Sequence, residues 1–170
     1  MAGFLLLQCK KKDIYFQGVP DTGEPAAVDI MIHDFTAEGY KKQKINWTLK
    51  ADTSYVIYAD SKIEMKNIRL VYHENPRDTS VITCQNSVMN RVTNDLTLKD
   101  DVKVKSSNGR ELYTEVLYWN SKNEELFTDE PVKIIYPGGE IINGKGMKSD
   151  GSLNKIHIYK PVGVHAEHEK

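Results

Sequence analysis

The sequence predicts an all-β chain, with antiparallel strands in two facing sheets, or in one sheet folded along its length, built from about four repeats of thirty residues. Three observations carry this expectation. The first is the repeat itself. Ile82-Thr-Cys84, Leu112-Tyr-Thr114 and Ile142-Asn-Gly144 follow one another at thirty residues, and Leu49-Lys-Ala51 precedes them by thirty-three. The second is alternation: Ile45, Trp47, Leu49 and Ala51 alternate with Asn46, Thr48 and Lys50, as in strands with one dry and one wet face. The third is a regular supply of turn residues, at Asn75-Pro76, Asn94-Asp95, Ser107-Asn-Gly109, Asn123-Glu-Glu125, Pro137-Gly-Gly139 and Asp150-Gly151. Only Asp34–Tyr40 reads as a helical turn.

Each repeat contributes three apolar columns. In the first, a large residue is followed on the same face by a small one: Ala51, Cys84, Thr114 or Gly144. The second holds Ile63-Glu-Met65, Leu96-Thr-Leu98, Leu126-Phe-Thr128 and Ile156-His-Ile158. The third holds Ile68-Arg-Leu70, Val102-Lys-Val104, Val132-Lys-Ile134 and Val162-Gly-Val164, with Pro131 matched by Pro161. Thirty residues then divide into three or four strands. The second repeat gives 81–89, 95–99 and 101–106, and the third gives 111–119, 125–129 and 131–136. A supersecondary unit of this kind cannot bury its face alone, so neighbouring units must stack. The row of small residues predicts either a space between the layers or a bend.

Composition narrows the function. The 170 residues suffice for one domain, and 23 basic against 24 acidic residues leave a formal charge of −1. That balance gives no footprint for nucleic acid. A hydrophobic fraction of 39% and a mean hydropathy of −0.52 suit a sheet with one solvated face. The two cysteines cannot make a disulfide framework, and Cys84 reads as a small buried side chain. Phe4-Leu-Leu-Leu-Gln-Cys9, followed by Lys10-Lys-Lys12, is similar to the end of a bacterial lipoprotein signal, which makes Cys9 a lipidation candidate. Gln8 departs from that pattern, since a small residue is usual there. The three lysines suit a solvated flank or anionic head groups. Residues 1–27 therefore read as a signal or tether region, 28–164 as the β domain and 165–170 as a tail.

No constellation for catalysis appears. Gly139-Glu-Ile-Ile-Asn-Gly-Lys145 mimics a phosphate loop, but Gly146 stands where Ser or Thr is needed and no helix follows. The histidines 33, 73, 157, 165 and 168 are scattered, and the pairs Asp100-Asp101, Glu124-Glu125 and Asp129-Glu130 fall where turns want acids. The chain is expected to be no enzyme, with no metal and no cofactor.

The run Trp47-Thr-Leu-Lys-Ala51, then Ile68-Arg-Leu-Val-Tyr72 and Asn108-Gly-Arg-Glu-Leu-Tyr-Thr-Glu115, resembles successive strands of the LptC family of lipopolysaccharide-export proteins. Leu126-Phe-Thr-Asp-Glu-Pro-Val132 and Ile142-Asn-Gly-Lys-Gly-Met147 complete the resemblance, which covers roughly residues 40–164. It implies a twisted, open β-jelly roll of the OstA-like group, periplasmic and anchored at the inner membrane. The family's usual N-terminal membrane helix has no counterpart here, and the start points to a lipid anchor instead.

The implied role is non-enzymatic. Such a carrier receives lipopolysaccharide from the membrane subunits of an ABC transporter and passes it along an apolar groove to an LptA-like bridge protein of similar fold, joined by edge-strand pairing. The repeated columns then nominate Trp47, Leu49, Ile63, Met65, Leu98, Leu112, Thr114, Leu126 and Ile142 as groove residues, with Trp119 able to plug one end. Two alternatives remain: the soluble bridge component itself, or a carbohydrate-binding or adhesive β-sandwich lipoprotein. The latter would display Tyr55, Tyr58, Tyr113 and Tyr118 on an outer face.

Overall fold

A computed structural model describes residues 28–75 and 78–166, with side chains described through Gly163. They form nine strands: β1 (Ile30–Lys41), β2 (Lys44–Ile57), β3 (Lys62–His73), β4 (Thr79–Asn90), β5 (Leu96–Ser106), β6 (Glu111–Asn120), β7 (Glu125–Ile135), β8 (Glu140–Asp150) and β9 (Ile156–Ala166). All pair antiparallel with their sequence neighbours in one sheet of order β1 to β9, which leaves β1 and β9 as free edges. No helix occurs among the described residues. Asp34–Tyr40 lies within β1, because alternation of Phe35, Ala37 and Gly39 toward the interior outweighs the weak helical spacing.

The repeat resolves into a register. Ala37, Leu49, Leu70, Ile82, Val104, Leu112, Ile134, Ile142 and Val164 are successive cross-strand partners, one row across all nine strands. A second complete row runs Ile30, Val56, Ile63, Met89, Leu96, Trp119, Leu126, Ser149 and Ile156. The thirty-residue period is therefore two long strands and their turns. Columns one and three interleave on alternate strands of a single row.

The expected short strands 95–99 and 101–106 are one strand, β5, and 125–129 and 131–136 merge into β7. Between the halves the backbone bends without ending. Asp100 and Asp101 take left-handed φ of 65° and 54°, Asn67 takes 50° and Asp34 takes 50°. These residue types tolerate that region best after glycine. Register breaks occur at the same level, between Thr83 and Asn86, Lys99 and Val102, Tyr113 and Tyr118, and Thr128 and Pro131. Side chains secure the line: the Asn67 amide donates to Asp52 at 2.9 Å, and that of Asn86 to Asp100. The small residues lie along it, Ala51 opposite Ile68, Thr114 opposite Val102 and Gly144 opposite Val132.

This transverse bend folds the sheet so that its two halves face each other. The Tyr72 ring, near one end of β3, lies 4.9 Å from that of Trp119, near the opposite end of β6. Lys41, ending β1, reaches Glu124 in the β6–β7 turn at 2.6 Å. The two expected facing layers are thus halves of one folded sheet. Outward positions stay wet and carry exposed cross-strand ion pairs such as Lys105–Glu111 and Lys148–Glu125, both at 2.8 Å. Solvent screening leaves such exposed pairs little weight in stability.

Candidate functional site

The interior between the halves is the candidate site. Leu49, Ile63, Met65, Leu98, Leu112 and Leu126 are all buried there in one continuous apolar cluster with Leu70, Ile82, Val104, Ile134 and Met147. Trp47 is half-buried at its margin, and Ile142 is half-buried opposite Ile134 in the inward row. The Trp47 indole lies across Gly39, where an added Cβ would fall 2.1 Å from its Nε1. Thr114 sits where β6 and β7 part, its hydroxyl donating to the Pro131 carbonyl at 2.9 Å. An open cleft there, with a volume near 460 Å³, is floored by the buried Thr114, Val102 and Val132 beside Asp101, Glu115 and Lys133.

A void of about 20 Å³ between Leu49, Leu70, Ile82, Met89, Leu96 and the rings of Trp47, Tyr72 and Trp119 has room for a single water. Polar atoms are few but telling. The hydroxyls of Ser54 and Ser87, either side of Met65 in one row, are buried without a bonding partner, as are those of Ser149 and Ser152. Each such group costs about 1–3 kcal/mol. Burial, with Glu124, Glu74 and Asp150 nearby, raises the Tyr72 phenol far above its ordinary range, so it stays neutral.

Cys84, the single cysteine among the described residues, is a buried free thiol on the bend. Burial pushes it up to about 11. At pH 8 roughly one thiol in a thousand is then ionised. Peptide-resolved alkylation at that pH should label Cys84 at least about a hundredfold more slowly in the native than in the unfolded protein. Equal rates would place the thiol in solvent. The raised value also makes this thiol's stabilising contribution full below the ordinary thiol range and lost as pH rises through about 11.

One feature lay outside every sequence column. The β8–β9 turn carries Gly151, Ser152 and Leu153 into the mouth between the halves, all buried. Gly151 lies flat on Tyr72 and Trp119; an added Cβ would fall 2.5 and 3.1 Å from their rings. The turn's carbonyls accept side-chain bonds from the opposite half: Ser80 to Gly151 at 2.5 Å, Ser106 to Ser152 at 2.6 Å, and Arg110 to Leu153 and Asn154 at 2.6 and 2.8 Å. Leu153 has φ of 56°, a conformation disfavoured for leucine. Asp150-Gly151 signals the turn in the sequence, but nothing there signals its insertion.

The remaining candidates disperse. Gly139–Lys145 forms a turn with Gly138 and Gly139 left-handed and then enters β8, so its amides face no helix-capped phosphate site. Tyr55 and Tyr118 share an outer row but are separated by Glu64, Val88 and Thr97. Tyr118 stacks on Phe127 at 5.2 Å, and Tyr58 lies under Arg91. Among the described residues no group of His, Cys, Asp and Glu is placed to hold a metal, and no helix is long and apolar enough to cross a membrane. Cys9, Lys10–Lys12 and His168 lie outside the described residues.

A single antiparallel sheet, unclosed at both edges and folded over a continuous apolar interior, defines a protein of the open β-jelly-roll class. Over residues 2–167 the chain matches the family described as LptC, lipopolysaccharide-assembly, LptC-related, and it belongs to that family. It is accordingly a component of lipopolysaccharide transport, from a family of inner-membrane-anchored periplasmic proteins. No curated protein matches it.

Proposed function

We propose that the chain carries lipopolysaccharide by its acyl chains in the interior between the two halves of the sheet. The observation that supports this most is the unbroken inward row from Ala37 to Ile142, which offers apolar side chains across eight successive strands. Each acyl CH₂ kept from water gains about 0.8 kcal/mol. A dozen of them therefore gain roughly 10 kcal/mol, enough to part layers that otherwise pack on each other. Trp47, Leu49, Ile63, Met65, Leu98, Leu112, Thr114, Leu126 and Ile142 are the proposed contacts, with phosphates and sugars left in solvent.

The chain itself performs no catalysis in this reading. It accepts lipid from the membrane subunits of an ABC transporter, whose ATP drives the flow, and hands it to a bridge protein of similar fold. The free edges of β1 and β9 supply unpaired backbone groups for pairing with such partners. Residues 1–27 serve as tether, with Cys9 the proposed site of a lipid anchor at the inner membrane, and residues 165–170 as a tail.

Photo-crosslinkers answer the question directly. Placed at Trp47, Leu112 or Ile142 they should capture lipopolysaccharide in cells, while the outward positions Lys103 and Lys133 should not. Capture confined to the outward pair would sink the interior site.

A further inference from the structure

We propose that the β8–β9 turn is a built-in plug, a stretch of the chain's own backbone and one leucine side chain held in the apolar mouth that an acyl chain must enter. This inference rests on the carrier reading above and adds how the site is kept shut when empty.

The ladder between β8 and β9 stops at Ser149 and Ile156, and β8 ends at Asp150, still paired with Glu125 of β7, so residues 151–155 form a flap beyond the last paired rung. At its base the Asp150 carboxylate accepts from the Asn154 and Lys155 amides at 2.7 and 3.1 Å. These two bonds belong to the inserted shape of the turn, so lifting it frees both amides for exchange. Across the mouth it is held by side chains alone: Ser80, Ser106 and Arg110, with Asn108 donating to Asn154 at 2.8 Å. Arg110 is itself seated over the Tyr136 ring at 5.3 Å. No strand pairing joins the flap to that side.

Two features make the inserted state poised to open. Leu153 is fully buried yet left-handed, at φ 56°, so its insertion is maintained against the backbone's own preference. Ser152 brings a buried hydroxyl that finds no partner. Beneath the flap lie Tyr72 and Trp119, the same rings that close one side of the interior's small void. Lifting the flap removes Leu153 from the apolar cluster and uncovers that void. The vacated space is apolar and narrow, which suits an acyl chain and excludes a sugar or phosphate.

The test uses the full chain and two variants. Arg110→Met keeps the side chain's length over Tyr136 but removes the donors to Leu153 and Asn154. Leu153→Gly suits the left-handed backbone and withdraws the side chain. Purified lipopolysaccharide should bind both variants at least about threefold more tightly than the unsubstituted chain, because a larger fraction of molecules is already open. Loading the unsubstituted chain should speed hydrogen exchange of the Asn154 and Lys155 amides on the order of tenfold, while strand amides slow. Lipopolysaccharide binding with those two amides unchanged or slower, and no gain in either variant, overturns the plug and leaves the carrier standing. Absence of binding by all three chains overturns the carrier reading, and the plug with it. Should Leu153→Gly fail to fold, Arg110→Met and the exchange measurement decide alone.

Discussion

Leu112→Asp is expected to leave the chain unfolded, and Leu112→Ala to lose about 3–5 kcal/mol, the upper part of the range for buried leucines. Leu112 has no exposure and sits in the inward row between Val104 and Ile134. Both neighbours are β-branched and fixed by their own strands, so the site has little means to collapse around a truncated side chain. An aspartate there would be charged, unpaired and surrounded by the apolar cluster, adding several kcal/mol to the lost packing. A domain's whole stability is about 5–15 kcal/mol. One rung along the β5–β6 ladder an aspartate is harmless: Lys103→Asp, on the wet face, should change stability by less than about 1 kcal/mol. Urea unfolding followed by circular dichroism measures all three. A loss under about 1 kcal/mol for Leu112→Ala would falsify the packed interior.

The second large effect falls on a residue with no side chain. At Gly144 an added Cβ would lie 2.4 Å from Ile158 Cγ2 and 3.0 Å from the Lys160 carbonyl oxygen. The Ile158 methyl is fixed by branching at Cβ, and the carbonyl belongs to the backbone of β9, so neither can yield cheaply. Gly144→Ala should cost about 1–3 kcal/mol, and Gly144→Val more, by driving β9 off β8. The damage is expected to be local first. Hydrogen exchange should accelerate at residues 156–163 before it does in β2 to β5. Uniform acceleration, or none, would show that β9 is not held at this point.

How much of this was legible beforehand depended on what each residue's neighbours were. Leu49, Ile82, Leu112 and Ile142 announced themselves because alternate strands at a constant length return the same face to the same row. Leu70, Val104 and Ile134 looked like another column, since their place between the first four depends on pairing, which a linear sequence does not display. Asp100-Asp101 read as a turn because residues that tolerate left-handed backbone serve turns and mid-strand bends alike. Thr114 and Gly144 were placed on a line of small residues, which proved to be the line of the bend. Leu153 was invisible for a plainer reason. The turn that carries it is held in place by Ser80, Ser106 and Arg110, all more than forty residues earlier in the chain, and no local pattern encodes a contact of that range.

The unbroken order from β1 to β9 also bears on how the molecule comes into being. Every strand's partner is the segment made just before it, joined by a short turn, so each pairing closes a small loop at little entropic cost. Such a topology can grow by successive addition of hairpins, without waiting for distant segments to meet. Contacts between Lys41 and Glu124, and between Ser80 and Gly151, span 83 and 71 residues and so belong to the final stage. The nascent protein can thus zip up as a ribbon before it creases. Its slowest step is then the closing of the two halves on each other.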